Sequence, residues 1–214
     1  MYCPLCHEGA AFFFENDQRP FYQCGQCDLI FVPETHLPSR EEEKAQYDLH
    51  ENSPDDVGYR KFLQRLTVPL AKKLPPESTG LDFGCGPGPT LSVMLEETGH
   101  TVALFDPIYQ PNPKALESQY DFITATEVFE HLHDPKRDLE QLWNALKPEG
   151  WLGVMTKRAH NLESFSRWHY IQDPTHVCFW SDNTFRWLAG IWSAQVELIE
   201  PDVTLFRKQA ETTY

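Results

Sequence analysis

A glycine-rich loop constrains the fold of this chain more than any other stretch. Residues 81–88 read LDFGCGPG, so a short apolar segment runs directly into three closely spaced glycines. Pro89 follows and suits the first turn of a helix with apolar residues at Leu91 and Leu95. Glycines let the backbone approach a ligand closely, and a helix N-terminus favours a negative group. The pattern therefore predicts a strand, a ligand-binding loop and a helix in succession.

Apolar and amphipathic segments alternate over most of the chain. Such alternation predicts a parallel, doubly wound α/β sheet with helices on both faces. Gly99 is expected to end the first helix of the series, and Asp134 to cap a later one that starts at Pro135. An earlier helix is expected over 58–74, kinked or split at Pro69. The predicted strands are 81–83, 101–105, 121–126 and 151–155, followed by a helix over 182–192 and a strand pair at 195–199 and 203–207.

An acidic residue, Asp106, ends the second strand of this series, 18 residues after Gly88. In doubly wound folds a carboxylate at that place holds ribose hydroxyls. A dinucleotide fingerprint reads GxGxxG, whereas here the third glycine comes too early, and Asp82 precedes the first glycine by two positions. The glycine spacing therefore disfavours a nicotinamide-dependent oxidoreductase.

The loop around Gly84 resembles motif I of class I S-adenosylmethionine (SAM)-dependent methyltransferases. Residues 120–132 (YDFITATEVFEHL) resemble the fourth strand of that family and the loop after it. Residues 142–156, with their Lys-Pro-Glu-Gly turn, resemble its fifth-strand region. The similarity covers about residues 58–207 and is greatest to the ubiquinone-biosynthesis-type subgroup, whose members mostly modify small molecules. It implies a Rossmann-like methyltransferase sheet with SAM as cofactor.

The resemblance also implies which residues hold SAM. The backbone of the glycines would lie alongside the methionine part of SAM. Asp82 would lie near its amino group, and Asp106 would bind its ribose hydroxyls. Pro107 or Ile108 would pack on the adenine. The alternative is that Asp82 and the glycines only form a tight turn. The implied cofactor-binding residues are Asp82, Gly84, Cys85, Gly86, Gly88, Asp106, Pro107, Thr126 and Glu127.

One region departs from the family pattern. The family has a full helix and a third strand between the ribose-binding acid and the fourth strand. Here 14 residues separate Asp106 from Asp121, and three of them are proline. We therefore expect the third strand to be short or missing. Either the N-terminal segments, residues 1–35 or 36–57, cover that side of the sheet, or the cofactor binds more weakly.

The acceptor side offers one candidate base. Amino-group methylation of bases often uses an Asn/Asp-Pro-Pro-Tyr/Phe motif after the fourth strand, but residues 126–129 read TEVF, so an oxygen or carbon acceptor is favoured. His131 follows that strand at the open end of the sheet, and its ordinary pKa is near neutrality. It is the candidate general base, and the alternative is a structural histidine beside the cofactor.

A second cluster follows the fifth strand, where the family commonly inserts substrate-binding elements. Aromatic side chains beside histidines suit a pocket for a planar or sugar-like acceptor, and the alternative is a packed loop. A metal site from His169, Asp173 and His176 is disfavoured, because the spacing matches no clear template. The candidate substrate residues are Trp168, His169, Tyr170 and His176.

Four cysteines predict a zinc ribbon at the N-terminus. They form two CxxC pairs separated by seventeen residues, a spacing typical of structural zinc sites. Four thiolates leave no open position on the ion, so the zinc would be structural. Disulfides are the alternative. The predicted zinc ligands are Cys3, Cys6, Cys24 and Cys27.

Charge and length bound the remaining possibilities. With 18 Lys+Arg against 32 Asp+Glu, the net charge of −14 argues against a nucleic-acid partner. No apolar run approaches the ~20 residues that span a bilayer, and no signal peptide is evident, so a cytoplasmic protein without membrane contact is expected.

The predicted units are a zinc ribbon (1–35), an acidic linker (36–57) and a methyltransferase domain (58–214). The predicted partner is a small-molecule acceptor, the oligomeric state is left open, and the alternatives are an RNA or protein methyltransferase or a non-catalytic SAM-binding or partner-binding protein.

Overall fold

Two β-sheets organise the chain in this computed structural model, which describes residues 1–49, 53–199 and 201–210. One has four strands in the order β1-β2-β3-β8, and the other has six in the order β5-β4-β6-β7-β10-β9. The strands are β1 (Ala10–Glu15), β2 (Pro20–Cys24), β3 (Ile30–Phe31), β4 (Thr79–Phe83), β5 (Thr101–Phe105), β6 (Tyr120–Thr126), β7 (Leu146–Met155), β8 (Cys178–Phe179), β9 (Gln195–Ile199) and β10 (Val203–Arg207).

The six-stranded sheet is mostly parallel. Strands β5, β4, β6 and β7 run in one direction, and β10 and β9 form an antiparallel hairpin beside β7. The predicted α/β fold class is therefore confirmed. Strand β5 lies at the edge, and between β5 and β6 the described chain forms a 3-10 turn over Pro113–Glu117 with no strand. The expected loss of a third strand is confirmed as well.

Helices cover both faces of this sheet. On β6, Phe122 packs into one buried cluster with Leu66 and Leu70, whereas Ile123 packs into the other with Leu139. Consecutive strand residues point to opposite faces, so each face needs its own helical cover. The helices are α1 (Arg40–Tyr47), α2 (Val57–Ala71), α3 (Thr90–Glu96), α4 (Pro135–Ala145), α5 (Leu162–Ser166) and α6 (Asp182–Ile191).

Helix α2 is a single element, so of the two expectations for Pro69, a kink or a split, the split is wrong. Pro69 lies two residues before the helix ends at Ala71. A proline that late disturbs only the last turn, and Leu66 and Leu70, both 0% exposed, hold that turn against the sheet. Gly99, with a φ of 91°, and Asp134, which accepts a hydrogen bond from the Arg137 N–H, stand at the helix ends where they were expected.

The N-terminal sheet is joined to the rest of the chain by β8. Strand β8 pairs antiparallel with β3, so Ile30 lies opposite Phe179. Phe21 of β2 is fully buried, and its ring packs edge-on against Phe165 at 5.2 Å and Phe179 at 5.6 Å. One continuous core therefore holds the cysteine-rich segment and the larger sheet together.

Helix α1 contacts the loop that follows the edge strand β5. Its N-cap Ser39 forms a reciprocal capping box with Glu42. Arg40 donates to the Pro107 carbonyl, and the Tyr109 hydroxyl donates to Asp48 at 2.6 Å. The predicted linker therefore packs over the loop that follows β5.

The predicted division at 1–35, 36–57 and 58–214 stays a prediction. The linker includes His50–Asn52, and the last unit includes Glu200 and residues 211–214, all outside the described residues. No helix among the residues described has both the length and the apolar character needed to cross a bilayer.

Candidate active site

The glycine loop has the backbone shape that close approach to a ligand requires. Gly84 and Gly86 adopt φ values of 73° and 64°. A Cβ on Gly84 would lie 2.4 Å from Cγ2 of Val128, so only glycine fits there. The loop joins β4 to α3, as predicted, and the predicted cofactor residues Cys85 and Gly88 lie within it.

Asp82 places a buried carboxyl at the C-terminal end of β4. The residue is 4% exposed and accepts a hydrogen bond from the Thr124 hydroxyl at 2.9 Å. Burial, together with the nearby charge of Asp106, raises the pKa of Asp82 to about 7. Asp82 is therefore poised between its neutral and charged forms near neutral pH.

Asp106 holds two loops together. One carboxylate oxygen accepts from the N–H of Gly86 at 3.1 Å. The other accepts from the N–H groups of Ile108 at 2.8 Å and Tyr109 at 2.9 Å. A carboxylate has about four lone-pair sites, so the three backbone donors leave about one for a ligand. The sequence pattern predicted the ribose role, but only the structure shows this bracing role.

The end of β6 presents polar atoms without partners. Thr126 Oγ1 and Glu127 Oε1 are buried and have no hydrogen-bond partner among the described residues. Glu127 adopts a φ of 53°, and its N–H donates to the Met155 carbonyl at 2.7 Å. Burial, reinforced by the charge of Glu130, raises the pKa of Glu127 to about 8. Such unpaired groups fit a ligand that brings positive charge or hydrogen-bond donors.

A buried cluster follows directly along the chain. Glu130 is 0% exposed and accepts hydrogen bonds from the hydroxyls of Tyr170 and Thr156, the latter at 2.9 Å. The rings of His131 and His176 lie 4.8 Å apart, and those of Tyr170 and His176 lie 4.0 Å apart. The structure therefore brings together three of the predicted residues, His131, Tyr170 and His176.

The other predicted substrate residues lie outside this cluster. Trp168 is half-buried and stacks on the Tyr170 ring at 4.7 Å, which places it behind that ring. His169 is exposed, with Nε2 3.4 Å from Nζ of Lys157. His133 pairs with Glu43 at 3.0 Å.

Three residues of the candidate site were not predicted from the sequence. Tyr47 of α1 places its ring 5.1 Å from His131, although the segment was interpreted as a linker. Tyr59 of α2 lies close enough to Asp82 and Glu127 that burial together with their charges raises its pKa to about 12. Glu130 was not identified either. The available signal was a second acidic residue three positions after Glu127, in the loop that follows a strand. For the two tyrosines no local signal exists.

The four N-terminal cysteines converge as predicted. Their sulfurs all lie within 4.8 Å of one another, with Cys3 and Cys27 at 3.5 Å and Cys6 and Cys24 at 3.3 Å. All four are free thiols. A tetrahedral zinc ion with Zn–S bonds of about 2.3 Å separates its sulfurs by about 3.8 Å, so the cluster has the size for one ion.

Comparison with known proteins identifies relatives of the chain. Residues 57–197 match the family model described as a methyltransferase domain. The tRNA 5-carboxymethoxyuridine methyltransferase of Escherichia coli (strain K12) is 30% identical over 146 residues, covering 56% of this chain and 56% of that protein. The protein of the same name from Escherichia coli O157:H7 gives the same values. The chain thus spans about half the length of the curated relatives it matches.

Two solved structures share the fold. Burkholderia thailandensis 1,6-didemethyltoxoflavin-N1-methyltransferase, with 1,6-didemethyltoxoflavin and S-adenosylhomocysteine bound, has a TM-score of 0.53 at 16% identity, covering 92% of this chain and 98% of its own. A chain from the Haloferax volcanii complex of the Trm112 methyltransferase activator with a methyltransferase has a TM-score of 0.51 at 13% identity, covering 83% and 100%. At these identities the likeness is one of fold.

Proposed function

The chain belongs to the methyltransferase-domain family, and from this premise we propose that it transfers a methyl group from SAM to an oxygen or carbon atom of a small molecule. The observation that supports this most is the row of buried acidic and unpartnered groups at the C-terminal ends of β4 and β6. In doubly wound sheets, ligands bind beyond those strand ends. Membership in the ubiquinone-biosynthesis-type subgroup is part of the same proposal.

The residues at that edge fit SAM. The cofactor has a net positive charge, from its sulfonium and amino groups against one carboxylate. A bound cation would favour the charged forms of Asp82 and Glu127, which then offer the complementary charge, and Thr126 offers a hydroxyl beside them. Gly84 and Gly86 leave room for the methionine part, because neither adds a Cβ to the loop. When bound, SAM supplies a methyl group on a positively charged sulfur, which a nucleophile takes by in-line displacement.

The loop after β5 would hold the nucleoside. Asp106 retains about one free lone-pair site for a ribose hydroxyl, and Pro107 or Ile108 would lie against the adenine. Helix α1 contacts this loop through Arg40 and Asp48. The linker helix would therefore replace the cover that a third strand and its helix supply elsewhere.

The histidine cluster would meet the acceptor. His131 Nδ1 lies 2.9 Å from the carbonyl oxygen of Thr175, which only accepts, so Nδ1 is the protonated nitrogen and Nε2 is free. A free Nε2 can receive the acceptor's proton as its oxygen or carbon takes the methyl group. Tyr170 and His176 would line the acceptor pocket, with Trp168 and His169 as outer elements.

The four cysteines would hold one structural zinc ion. Such a thiolate site requires reduced cysteines, which agrees with a cytoplasmic location. Zinc content is the direct test: about one ion per chain is expected in the wild type and none in Cys24→Ser. Cys85→Ser is the matched control because Cys85 lies outside the cluster, and it should keep its zinc. Disulfide formation with no bound zinc would contradict the zinc site.

Calorimetric titration of the zinc-loaded protein with S-adenosylhomocysteine tests the proposed activity first. Micromolar binding at one site per chain is expected and would lead to an acceptor screen of hydroxylated metabolites and sugars. Absence of binding would contradict the proposal and favour a non-catalytic, partner-binding protein.

A tRNA acceptor is the second candidate. It is supported by the 30% identity to a tRNA methyltransferase and opposed by the net charge of −14. The comparison thus weighs against the expectation from charge alone. Methyl transfer to total tRNA in the presence of labelled SAM distinguishes the two acceptors. Incorporation into tRNA, and none into small molecules, would replace the first candidate.

A further inference from the structure

A positively charged side chain stands beside the acceptor cluster. Lys157 lies two residues after β7 ends at Met155, at the sheet edge beyond which ligands bind. Its Nζ lies over the Tyr170 ring, 5.0 Å from the ring centroid. The preceding residue, Thr156, donates its hydroxyl to Glu130, as the Tyr170 hydroxyl does. Lys157 therefore lies on the acceptor side of the candidate site.

Lys157 lacks the carboxylate partner that comparable lysines have. Lys44 and Lys73 also lie over aromatic rings, and they pair with Asp48 at 2.6 Å and Glu197 at 2.7 Å, respectively. For Lys157, no carboxylate in the described part of the chain lies within ion-pair distance of Nζ. Ligand sites are typically lined by apolar and aromatic side chains with a few polar or charged groups that fix the orientation of the ligand. A cation without a counter-ion in such a place is suited to a negative group of the ligand.

The neighbouring charges do not balance Lys157. Burial, reinforced by the charge of Glu130, raises the pKa of Glu127 to about 8, although Lys157 acts in the opposite direction. Much of Glu127 is therefore uncharged at neutral pH, and with SAM bound its charge would face the cofactor. Arg158, the next residue along the chain, is used elsewhere, because its Nε lies 2.7 Å from a carboxylate oxygen of Asp182.

His169 adds a second hydrogen-bond donor. Its Nε2 lies 3.4 Å from Nζ of Lys157. An ammonium group only donates, so Nε2 accepts and the ring carries its N–H on Nδ1. His169 is exposed, so a ligand that enters from solvent can reach this N–H. The pair thus offers the remaining N–H groups of Lys157 and the Nδ1–H of His169 to an anion, and hydrogen bonds with a charged partner are the strong ones.

We propose that Lys157 and His169 bind an anionic group of the acceptor, a carboxylate or a phosphate. The anion would hold the acceptor beside the Tyr170 ring, which packs against His176 next to His131. That the anion belongs to the acceptor rests on the proposed methyl transfer, whereas the binding of an anion does not.

The methionine carboxylate of SAM is another anion that would lie near this edge of the sheet. The cofactor is proposed to lie at the ends of β4 and β6. Lys157 follows β7, which is on the opposite side of β6 from β4. The position of Lys157 therefore favours the acceptor over the cofactor as the source of the anion.

NMR spectra that correlate each lysine Nζ with its neighbouring methylene protons test the site directly. The zinc-loaded protein is titrated with acetate and with inorganic phosphate, and Lys157→Met assigns the Lys157 signal. We expect a saturable shift of that signal, and the tighter of the two probes shows whether a carboxylate or a phosphate is preferred. The Nζ signal of Lys73, which already has a carboxylate partner, is the control and should respond only as it does to sodium chloride of equal ionic strength. His169→Phe keeps a ring without nitrogen and should weaken anion binding at least about tenfold. A Lys157 signal that moves no more than that of Lys73 with either anion would overturn the inference.

Turnover tests the source of the anion. In the acceptor screen each acid is paired with its neutral amide, and acids should be the better substrates. Lys157→Met should raise the KM for an acid at least about tenfold and leave S-adenosylhomocysteine affinity within about twofold, with partial recovery in Lys157→Arg. Lys73→Met is the matched control and should change neither. Equal turnover of acids and amides, or a loss of S-adenosylhomocysteine affinity in Lys157→Met, would contradict an acceptor anion at Lys157.

Calorimetry with S-adenosylhomocysteine on the same samples separates the two proposals. If the wild type binds S-adenosylhomocysteine but its Lys157 signal does not respond to anions, only the anion site fails. If the Lys157 signal responds but S-adenosylhomocysteine does not bind, the anion site is supported and the methyl transfer fails.

Discussion

Arg19 Nη1 donates a 2.8 Å hydrogen bond to the carbonyl oxygen of Pro174, 155 positions later in the chain. The same guanidinium donates to the carbonyls of Asp173 at 2.6 Å and Ile171 at 3.3 Å, and Arg19 is only 5% exposed. The cysteine-rich sheet is therefore tied to the loop that positions His176.

Replacing Arg19 should loosen that loop. Arg19→Ala removes three hydrogen bonds from a buried guanidinium to the carbonyls of Ile171, Asp173 and Pro174, and we expect a loss of about 2–4 kcal/mol in the free energy of unfolding. Turnover should fall as well, because the loop carries His176 and Tyr170. Urea denaturation and steady-state kinetics measure both effects. Arg167→Ala, at an exposed residue paired with Glu163, is the control and should change neither.

Replacing Asp106 should weaken cofactor binding and also destabilise its loops. Asp106→Ala removes the acceptor of three backbone N–H groups, so we expect S-adenosylhomocysteine affinity to fall about 10- to 100-fold and stability to fall by about 1–3 kcal/mol. Asp106→Asn keeps one side-chain oxygen and should lie between wild type and alanine in both measurements. Equal calorimetric affinity in Asp106→Ala and wild type would remove the ribose assignment.

Replacing His131 should separate binding from turnover. We expect His131→Ala to lower kcat by about 10²–10⁴ while S-adenosylhomocysteine affinity stays within about twofold of wild type. The reason is that His131 is proposed to act on the acceptor as general base and not to bind the cofactor. His133→Ala is the control and should keep wild-type kcat. A His131→Ala enzyme with unchanged kcat would show that the histidine is structural.

Asp82 should make stability depend on pH. Its pKa is raised to about 7 in the folded chain against an ordinary 3.8, so the folded state favours the protonated form. The stability that Asp82 contributes is full below pH 3.8 and is lost as the pH rises through 7. Between pH 5.5 and 8.5 the wild type should therefore lose more stability than Asp82→Asn. Urea unfolding at both pH values measures the difference, and Glu140→Gln on the exposed face of α4 should behave as wild type.

Local sequence signals predicted the elements of the fold well. Strands β9 and β10 begin and end at the predicted residues, and Asp82, Asp106 and Glu127 stand at strand ends as expected. These features depend on nearby residues: apolar runs of strand length, capping residues and glycines with positive φ. The cysteine spacing was equally informative, because a CxxC turn sets its own geometry.

The contacts that complete the candidate site had no such signal. Tyr47 reaches His131 from a segment that its acidic composition marked as a linker, and β8 pairs with β3 across most of the chain. The structure shows no split at Pro69, because the buried side chains of Leu66 and Leu70 hold the last turn of α2 against the sheet.

The sequence by itself determined the alternation of strands and helices, the glycine loop and the four-cysteine cluster, since each arises from short-range preferences of the chain. Only the tertiary structure decided that Glu130, His131 and His176 meet, that Arg19 ties the first sheet to the loop before His176, and that helix α1 packs over the loop after β5. Those contacts depend on which distant surfaces pack together. Packing is set by the shape of the whole core, which no local pattern in the sequence encodes.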